Sequence, residues 1–519
     1  MAEKTGILVR GVNWIGDAVM AAPALWAVKE SYPDSEITLL VNPTVAPLFE
    51  KDPHVGALIE YENAYRTIAG KLRLAHRLKG EKFTTAILLQ NAFDAALIAW
   101  LAGIGQRVGY RRDARGLLLT KGVAVTKETL RLHHTRYYLN MLNAAGINAP
   151  YRLPWIYLTS AERRLSVEAL SHLRRPVIGI NPGAAFGSAK RWPAERFAEL
   201  ISRIIKEKGG SAVLFGSPKD MEIAAAIYGL IAPDIMMSEA DVTFLDLTGK
   251  TGVRELCAGI AGCDLLITND SGPMHISYAV GTPVLAIFGS TSPELTGPPA
   301  IPPDSEFPEF SYRHRVIRKK MDCSPCFKRT CPHGHLKCMK DITTAEVFDK
   351  IDALTGHSKA VFFDRDGTLC EDADYLNNFS DFRPYDGLGG LMALKDKGYM
   401  LIGISNQSGI GRGIIDEGFV KELHRLFIDK YGFDDFYYCR HIPGDNCACR
   451  KPSPGMLLRA RADYGIDLKS SIFVGDKNVD METALAVGAR PIFFMTKKHT
   501  LSIPGIRQIS ALDELHELI

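Results

Sequence analysis

Two carboxylates set two residues apart at the end of an apolar run are the sharpest chemical signal in the chain: Val361-Phe-Phe-Asp364-Arg-Asp366-Gly367-Thr-Leu. Gly367 lets the backbone turn sharply where the run stops. In order downstream come Ile404-Ser405-Asn406-Gln407-Ser408-Gly, then Arg450-Lys451-Pro, then Val474-Gly-Asp476-Lys477-Asn-Val-Asp480. A carboxylate pair alone is as readily a solvated turn as a site, but this succession suits phosphoryl transfer to a carboxylate. Asp364 would attack phosphorus. Mg²⁺ on Asp364, the backbone carbonyl of Asp366 and Asp476 would offset the charge that repels an anionic nucleophile. Asp366 would protonate the leaving oxygen and later activate the water that hydrolyses the aspartyl-phosphate. Ser405, the backbone at Asn406 and Lys451 would supply donors and positive charge to the equatorial oxygens.

Cys439-Arg-His441 and Cys447-Ala-Cys449 run directly into Arg450. Three thiolates and an imidazole at this spacing can close a tetrahedral structural Zn²⁺ site and pin a loop beside Arg450 and Lys451; a surface hairpin with incidental cysteines is the alternative. A second cluster, Cys323-Ser-Pro-Cys326, Cys331-Pro-His333-Gly-His335 and Cys338, has enough ligands for a metal, with free or redox-active thiols as the other reading. Cys257, Cys263 and Cys370 stand alone. In a reducing compartment clusters of this kind point to metal before disulfide.

The first half of the chain carries quieter signals. Gly11-Val-Asn-Trp-Ile-Gly16-Asp17 puts a carboxylate at a helix start, where it serves the helix dipole if nothing else. Asn181-Pro-Gly-Ala-Ala-Phe-Gly187-Ser-Ala-Lys190-Arg-Trp-Pro follows an apolar run, and its lysine is either a phosphate partner or a surface residue. Thr268-Asn269-Asp270-Ser271-Gly272-Pro-Met-His275 is a strand end, a glycine-containing turn and a helix start, whose exposed N–H groups and dipole favour an anion.

These residues need elements to hold them. Apolar runs at 6–10, 37–41 and 85–89 alternate with helical patterns, one of them predicted over about 17–29, and a second alternation runs through 176–181, 211–216, 265–270 and 283–289. That is the pattern of parallel α/β sheets, which bind ligands outside the carboxyl ends of their strands. The prolines from Thr296 to Pro308 predict a loop, and Leu354 to Ser358 a linker before a third α/β unit. The expected domains are therefore 1–160, 161–355 and 359–519, consistent with 519 residues at roughly 150 per domain.

Composition excludes several classes. With 46% hydrophobic and 23% charged residues and a net charge of +3, the chain is neither disordered nor collagen-like. Its longest apolar stretch, Ala95 to Ile104, is far short of the roughly 20 residues that span a bilayer, and the start lacks the layout of a signal peptide, so a cytoplasmic protein is expected. Charge is uneven: residues 66–136 hold fourteen Lys/Arg against four Asp/Glu, a net +10, which leaves −7 for the rest. This predicts either a basic face for a phosphorylated, membrane-embedded acceptor or ordinary solvated helix faces; aromatics are not interleaved as nucleic-acid binding requires.

Residues 359–504 resemble the haloacid-dehalogenase phosphatase superfamily, and the run Asn406-Gln-Ser-Gly-Ile-Gly-Arg-Gly with the zinc loop is most similar to its heptose 1,7-bisphosphate 7-phosphatases. That resemblance implies phosphate and sugar contacts at Ser405, Asn406, Gln407, Ser408, Arg450, Lys451 and Lys477; histidinol-phosphate phosphatases, which share the catalytic residues and the loop, are the alternative. Residues 5–355, through Ala189-Lys190-Arg-Trp-Pro and Thr268-Asn-Asp-Ser-Gly with His275, resemble the ADP-heptose:lipopolysaccharide heptosyltransferases. A GT-B pair of Rossmann-like domains is implied, with Asp17 as the base that deprotonates an acceptor hydroxyl and Lys190 neutralising the departing ADP phosphates. Asp270, Ser271, Gly272 and His275 would hold the nucleotide sugar. A bifunctional enzyme of lipopolysaccharide inner-core synthesis follows, using ADP-heptose, a core acceptor and heptose 1,7-bisphosphate, with Mg²⁺ and structural Zn²⁺. The alternative keeps a non-catalytic nucleotide-sugar module, or another glycosyltransferase, in the first half.

Overall fold

The computed structural model describes residues 6–231, 243–299, 314–356 and 358–519. Among these, the strands form three six-stranded sheets, and every pairing within them is parallel. The first holds β1 (Gly6–Arg10), β2 (Glu36–Val41), β3 (Ala57–Glu60), β4 (Thr85–Leu88), β5 (Gln106–Tyr110) and β6 (Lys121–Val123), in the order β3-β2-β1-β4-β5-β6. The second holds β7 (Val177–Asn181), β8 (Ser211–Leu214), β9 (Phe244–Asp246), β10 (Leu265–Asn269), β11 (Val284–Phe288) and β12 (His314–Arg318), ordered β12-β11-β10-β7-β8-β9. The third holds β13 (Lys359–Phe363), β14 (Tyr399–Asn406), β15 (Asp435–Cys439), β16 (Ile472–Gly475), β17 (Arg490–Phe494) and β18 (Arg507–Ile509), ordered β15-β14-β13-β16-β17-β18.

Parallel sheets are covered on both faces, which is why their strands read as unbroken apolar runs instead of alternating. Every residue of β7, β10 and β11 is buried. The helix predicted over 17–29 spans Ile15–Ser31, so Asp17 lies in its first turn. Of the predicted proline-rich loop, residues 300–308 lie outside the described residues.

The chain divides into two compact units. One contains the first and second sheets; its described residues are 6–158, 177–231, 243–299 and 314–349. The other contains the third sheet, in 350–519, together with residues 159–176. The helix Ser160–Ala169 in that segment, started by a Thr159/Glu162 capping box, packs on the helix Asn478–Leu485. Gly488 leaves room for Val167, whose Cγ1 lies 3.0 Å from where a Cβ would stand, and Arg175 lies 4.0 Å from Asp467. Such tertiary contacts carry no local sequence signature. They place the start of the expected 161–355 domain with the C-terminal unit.

The basic segment is also not wholly on the surface. Arg115, one of its fourteen cations, is fully buried and donates to the carbonyls of Tyr110 (2.9 Å) and Leu88 (3.3 Å) and to Asn91 Oδ1 (3.1 Å). It fixes the loops after β4 and β5 and adds nothing to an exposed face.

Candidate active sites

In each sheet the chain leaves the first and fourth strands toward opposite sides, and a crevice opens where the order reverses, at β1/β4, β7/β10 and β13/β16. Most of the residues singled out from the sequence fall on loops at these points. Asp17 follows β1, Lys190 follows β7, and Asp270 to His275 follow β10. Asp364 and Asp366 follow β13, Ser405 to Ser408 end β14, and Asp476 and Lys477 follow β16.

In the first unit the starts of the helices Ile15–Ser31 and Gly272–Val280 pack against each other. A Cβ on Gly16 would stand 2.6 Å from the His275 ring, and one on Gly272 would stand 3.2 Å from Ile15. Glycine at these two positions lets both positive helix ends approach one cleft. Asp17 Oδ1 lies 3.2 Å from His134 Nδ1, a partner that the sequence did not single out. His275 is buried with Nδ1 2.9 Å from the Tyr278 hydroxyl. Burial pushes its pKa down to about 3 despite the opposing pull of Asp17, so the ring is neutral at physiological pH.

The two motifs of the second sheet are physically one. Lys190 Nζ donates to Asp270 Oδ2 at 2.5 Å, and Thr291 Oγ1 donates to the same oxygen at 2.6 Å. Asn269 accepts from Trp192 N (3.0 Å) and donates to Pro182 O (2.7 Å), so it ties down both ends of the Lys190 loop. The Ser271 hydroxyl does not cap the helix that follows it. It is engaged by Asn181 Nδ2 (3.0 Å) and Thr268 Oγ1 (3.1 Å), leaving the Gly272 end open to an anion. Asp270 therefore sits against Lys190, where it positions the ammonium instead of facing open solvent.

In the second unit Asp364 is buried at the end of β13, and Lys451 Nζ bridges it (2.8 Å) to Asp480 (2.6 Å). Burial alone would lower the Lys451 pKa, but the two carboxylates raise it. Asp366 is gripped by both arms of the Arg365 guanidinium, Nε to Oδ1 at 3.0 Å and Nη2 to Oδ2 at 2.9 Å, and by Gln407 Nε2 at 2.7 Å. The Ser405 hydroxyl accepts from Gln407 (2.6 Å) and donates to Asp366 (3.5 Å). Behind Arg365 stands buried His424, whose Nε2 is 3.5 Å away. Asn406 clamps the backbone of Lys451 by accepting from its N–H (3.1 Å) and donating to its carbonyl (3.2 Å). Lys477 Nζ donates to Asp366 O and to Asp372, each at 3.1 Å. Ser408 opens the short helix Ser408–Gly411, and Arg450 donates to His441 O at 3.3 Å, which ties it to the cysteine loop.

Among the described residues, two groups bring three or more metal-ligating atoms within 4.8 Å of one another. The first is Asp364, Asp476 and Asp480. Both carboxylate oxygens of Asp476 are buried without a hydrogen-bond partner, and burial together with Asp364 pushes its pKa up to about 7. A crowded all-oxygen donor set with the Asp476 carboxylate unpartnered by hydrogen bonds fits a hard divalent cation. Asp480, within the quoted motif but given no role there, belongs to this group. The second is Cys439, His441, Cys447 and Cys449, with S···S pairs at 3.4 and 3.5 Å and S···Nδ1 pairs at 3.3 and 3.5 Å. A tetrahedron with metal–sulfur bonds of about 2.3 Å has S···S edges of about 3.8 Å, so the cluster has the dimensions of a closed site.

Fold and site thus define a GT-B-like glycosyl-transferring unit joined to an aspartate-based phosphatase unit. Comparison with known proteins makes this specific. The model of glycosyltransferase family 9 (heptosyltransferase) matches residues 71–337, and an HAD-hydrolase-like model matches 448–504. Lipopolysaccharide heptosyltransferase 2 of Escherichia coli is 31% identical over 357 residues, 67% of this chain and 98% of that protein. The solved structure of E. coli ADP-heptose lps heptosyltransferase II matches with a TM-score of 0.56 at 30% identity, covering 67% of this chain and 98% of that one. The D-glycero-alpha-D-manno-heptose-1,7-bisphosphate 7-phosphatase of Photorhabdus laumondii is 38% identical over 159 residues, 28% of this chain and 87% of that protein. The chain belongs to glycosyltransferase family 9 and carries, fused to it, a phosphatase of the heptose-bisphosphate 7-phosphatase type.

The depressed pKa of His275 predicts a pH dependence. A group that stays neutral when folded binds its proton first in the unfolded chain, so its contribution is complete above about pH 6.5 and declines as pH falls toward 3. The loss amounts to about 1.4 kcal/mol per pH unit in that window. Half-buried His133 and buried His424 act in the same direction. Urea unfolding between pH 7.5 and 4.5 should show a shallower acid loss for His275→Asn than for the wild type; parallel curves would contradict the neutral assignment.

Proposed function

We propose that the first unit transfers heptose, with inversion, from ADP-heptose to a lipopolysaccharide core acceptor, and that the second removes the 7-phosphate of heptose 1,7-bisphosphate. Together they serve inner-core synthesis. The observation that supports this is that candidate groups for both reactions follow the strands at the order reversals, in segments that align with 98% of a heptosyltransferase and 87% of a heptose-bisphosphate phosphatase.

For transfer, Asp17 takes the proton of the acceptor hydroxyl as that oxygen attacks the anomeric carbon from the face opposite the leaving ADP. His134 holds the Asp17 carboxylate, and neutral His275 keeps the cleft wall uncharged beside it. Lys190, presented by Asp270, offsets the charge released on the ADP phosphates, which the Ser271–Gly272 helix start also favours.

For hydrolysis, Asp364 attacks phosphorus while Lys451, buried beside it, stabilises the equatorial charge together with the Ser405 hydroxyl and the Asn406 backbone. Asp366, held here as an acceptor by Arg365 and Gln407, would exchange that pairing for a proton from solvent, give it to the sugar oxygen as it leaves, and then take a proton from the water that opens the aspartyl-phosphate. Mg²⁺ held by Asp364, the Asp366 carbonyl and Asp476, with Asp480 alongside, would supply the charge neutralisation this approach of anions requires. Zn²⁺ at Cys439, His441, Cys447 and Cys449 would be structural, stiffening the loop that carries Arg450 and Lys451. Gln407, Ser408, Arg450 and Lys477 remain the candidates for substrate contact.

The protein would work in the cytoplasm and meet the inner face of the membrane through its acceptor, with the exposed cations of 66–136 facing the acceptor's phosphates. No helix among the described residues is long and apolar enough to cross a membrane.

Asp17→Ala should lower ADP release with a heptosylated lipid A acceptor by about 100-fold or more, the usual worth of a general base; unchanged turnover would remove Asp17 from that role. Asp364→Asn should abolish phosphate release and leave transfer intact, whereas loss of both activities would contradict separable sites. Offered side by side, heptose 1,7-bisphosphate should be hydrolysed in preference to histidinol phosphate. The reverse preference would overturn the pathway assignment.

A further inference from the structure

Cys323, Cys326, Cys331 and Cys338 take part in neither reaction, and they lie in a stretch with little else to hold it. From 319 to 336 no side chain is buried, and apart from one isolated bridge between Met321 and Ser324 the segment contains no strand or helix. Ordering such a loop costs backbone entropy that no apolar burial offsets. The loop nevertheless holds Phe327, Gly334 and Leu336 at φ of +54°, +69° and +50°, and two of the three are not glycine. Left-handed backbone at such residues persists where surrounding contacts enforce it.

The cysteines are where the segment turns inward. All four are unbridged; Cys338 is buried and the others are half-buried, while Pro325, residues 327–330 and residues 332–334 are exposed. Cys323 Sγ lies 4.0 Å from His335 Nε2, and the Leu336 N–H donates to Cys331 Sγ at 3.4 Å. No three of these ligands gather within 4.8 Å, in contrast to the Cys439 cluster.

We propose that Cys323, Cys326, Cys331 and Cys338 form a tetrathiolate site for a thiolate-preferring divalent ion, Zn²⁺ or Fe²⁺, which fastens this loop against the nucleotide side of the second sheet. Binding deprotonates the four thiols and forms four metal–sulfur bonds, with no change of oxidation state. The fastened surface is defined by three hydrogen bonds: Ala189 N to Arg329 O (3.0 Å), Phe327 N to Ser290 O (2.8 Å) and Ser324 Oγ to Gly289 O (2.6 Å). Gly187 fits only without a side chain, since a Cβ there would stand 2.2 Å from Arg329 O. The segment clamped in this way carries Lys190, and Ser290 precedes Thr291, which bonds Asp270. Any effect on ADP binding rests on the role given to Lys190; the metal site does not.

Zinc and iron are to be counted in the full chain as purified, with thiols protected from oxidation. Two equivalents per chain are expected, one in each cysteine cluster, falling to one in Cys326→Ser/Cys331→Ser with phosphate release unchanged. Reconstituted with Co²⁺, the wild type should show a thiolate-to-metal band that loses more than half its intensity in the variant, because four of the seven ligating sulfurs belong to this site. If the variant does not fold, displacement of metal from the wild type by a thiol-binding mercurial should release two equivalents. One equivalent, an unchanged metal content in the variant, or a disulfide among the four cysteines in thiol-blocked protein would overturn the proposal.

Discussion

At the centre of each six-stranded sheet, two adjacent parallel strands send their chains to opposite sides, so two loops part and a gap is left at the carboxyl ends of both strands. Backbone and side-chain polar groups around that gap have no sheet neighbour to satisfy them and must find one another, water or a ligand. Among the described residues the same strand order occurs three times, and each time the reversal is where candidate reactive groups stand. Asp17 follows one such strand, Lys190 and Asp270 follow the two strands of the next reversal, and Asp364 and Asp476 those of the third. Shared topology fixes where chemistry can occur, and the loops decide what chemistry it is.

Charge buried in these gaps is held in chains. Lys451 stands between Asp364 and Asp480, and Lys190 stands on Asp270, which Thr291 also engages. Removing a charge from water is costly unless it is paired and hydrogen-bonded, so each cation arrives with its carboxylate. The pairing also aims the side chains: Arg365 turns Asp366 with two parallel bonds, and Asn406 fixes the backbone of Lys451. A phosphate bound as proposed would therefore meet donors already oriented.

The residues proposed for the phosphatase could be picked out by type and spacing because they cluster at strand ends, where short motifs are read directly. The Cys439 loop was legible for the same reason: four ligands of the right kind at close spacing. What was hidden depends on segments far apart in sequence. His134 meets Asp17 across 117 residues, and His424 stands behind Arg365 across 59. Asp480 was visible as a residue, but its place beside Lys451 and Asp364 was not. The Asp270 side chain was expected at a nucleotide and is found against Lys190. The helix Ser160–Ala169 joins the C-terminal unit through tertiary contacts, so a boundary drawn from the alternation of elements could not see it.

The most direct measurement of switch-point chemistry is a crystal structure of the full chain grown with ADP, Mg²⁺ and beryllium fluoride, a mimic of a phosphoryl group on a carboxylate. Two separate occupied sites are predicted. The ADP phosphates should lie between Lys190 and the Gly272 helix start, and the fluoride should sit on the Asp364 carboxylate with Mg²⁺ between Asp364 and Asp476. ADP bound away from the β7/β10 crevice, or the fluoride on any other carboxylate, would contradict it.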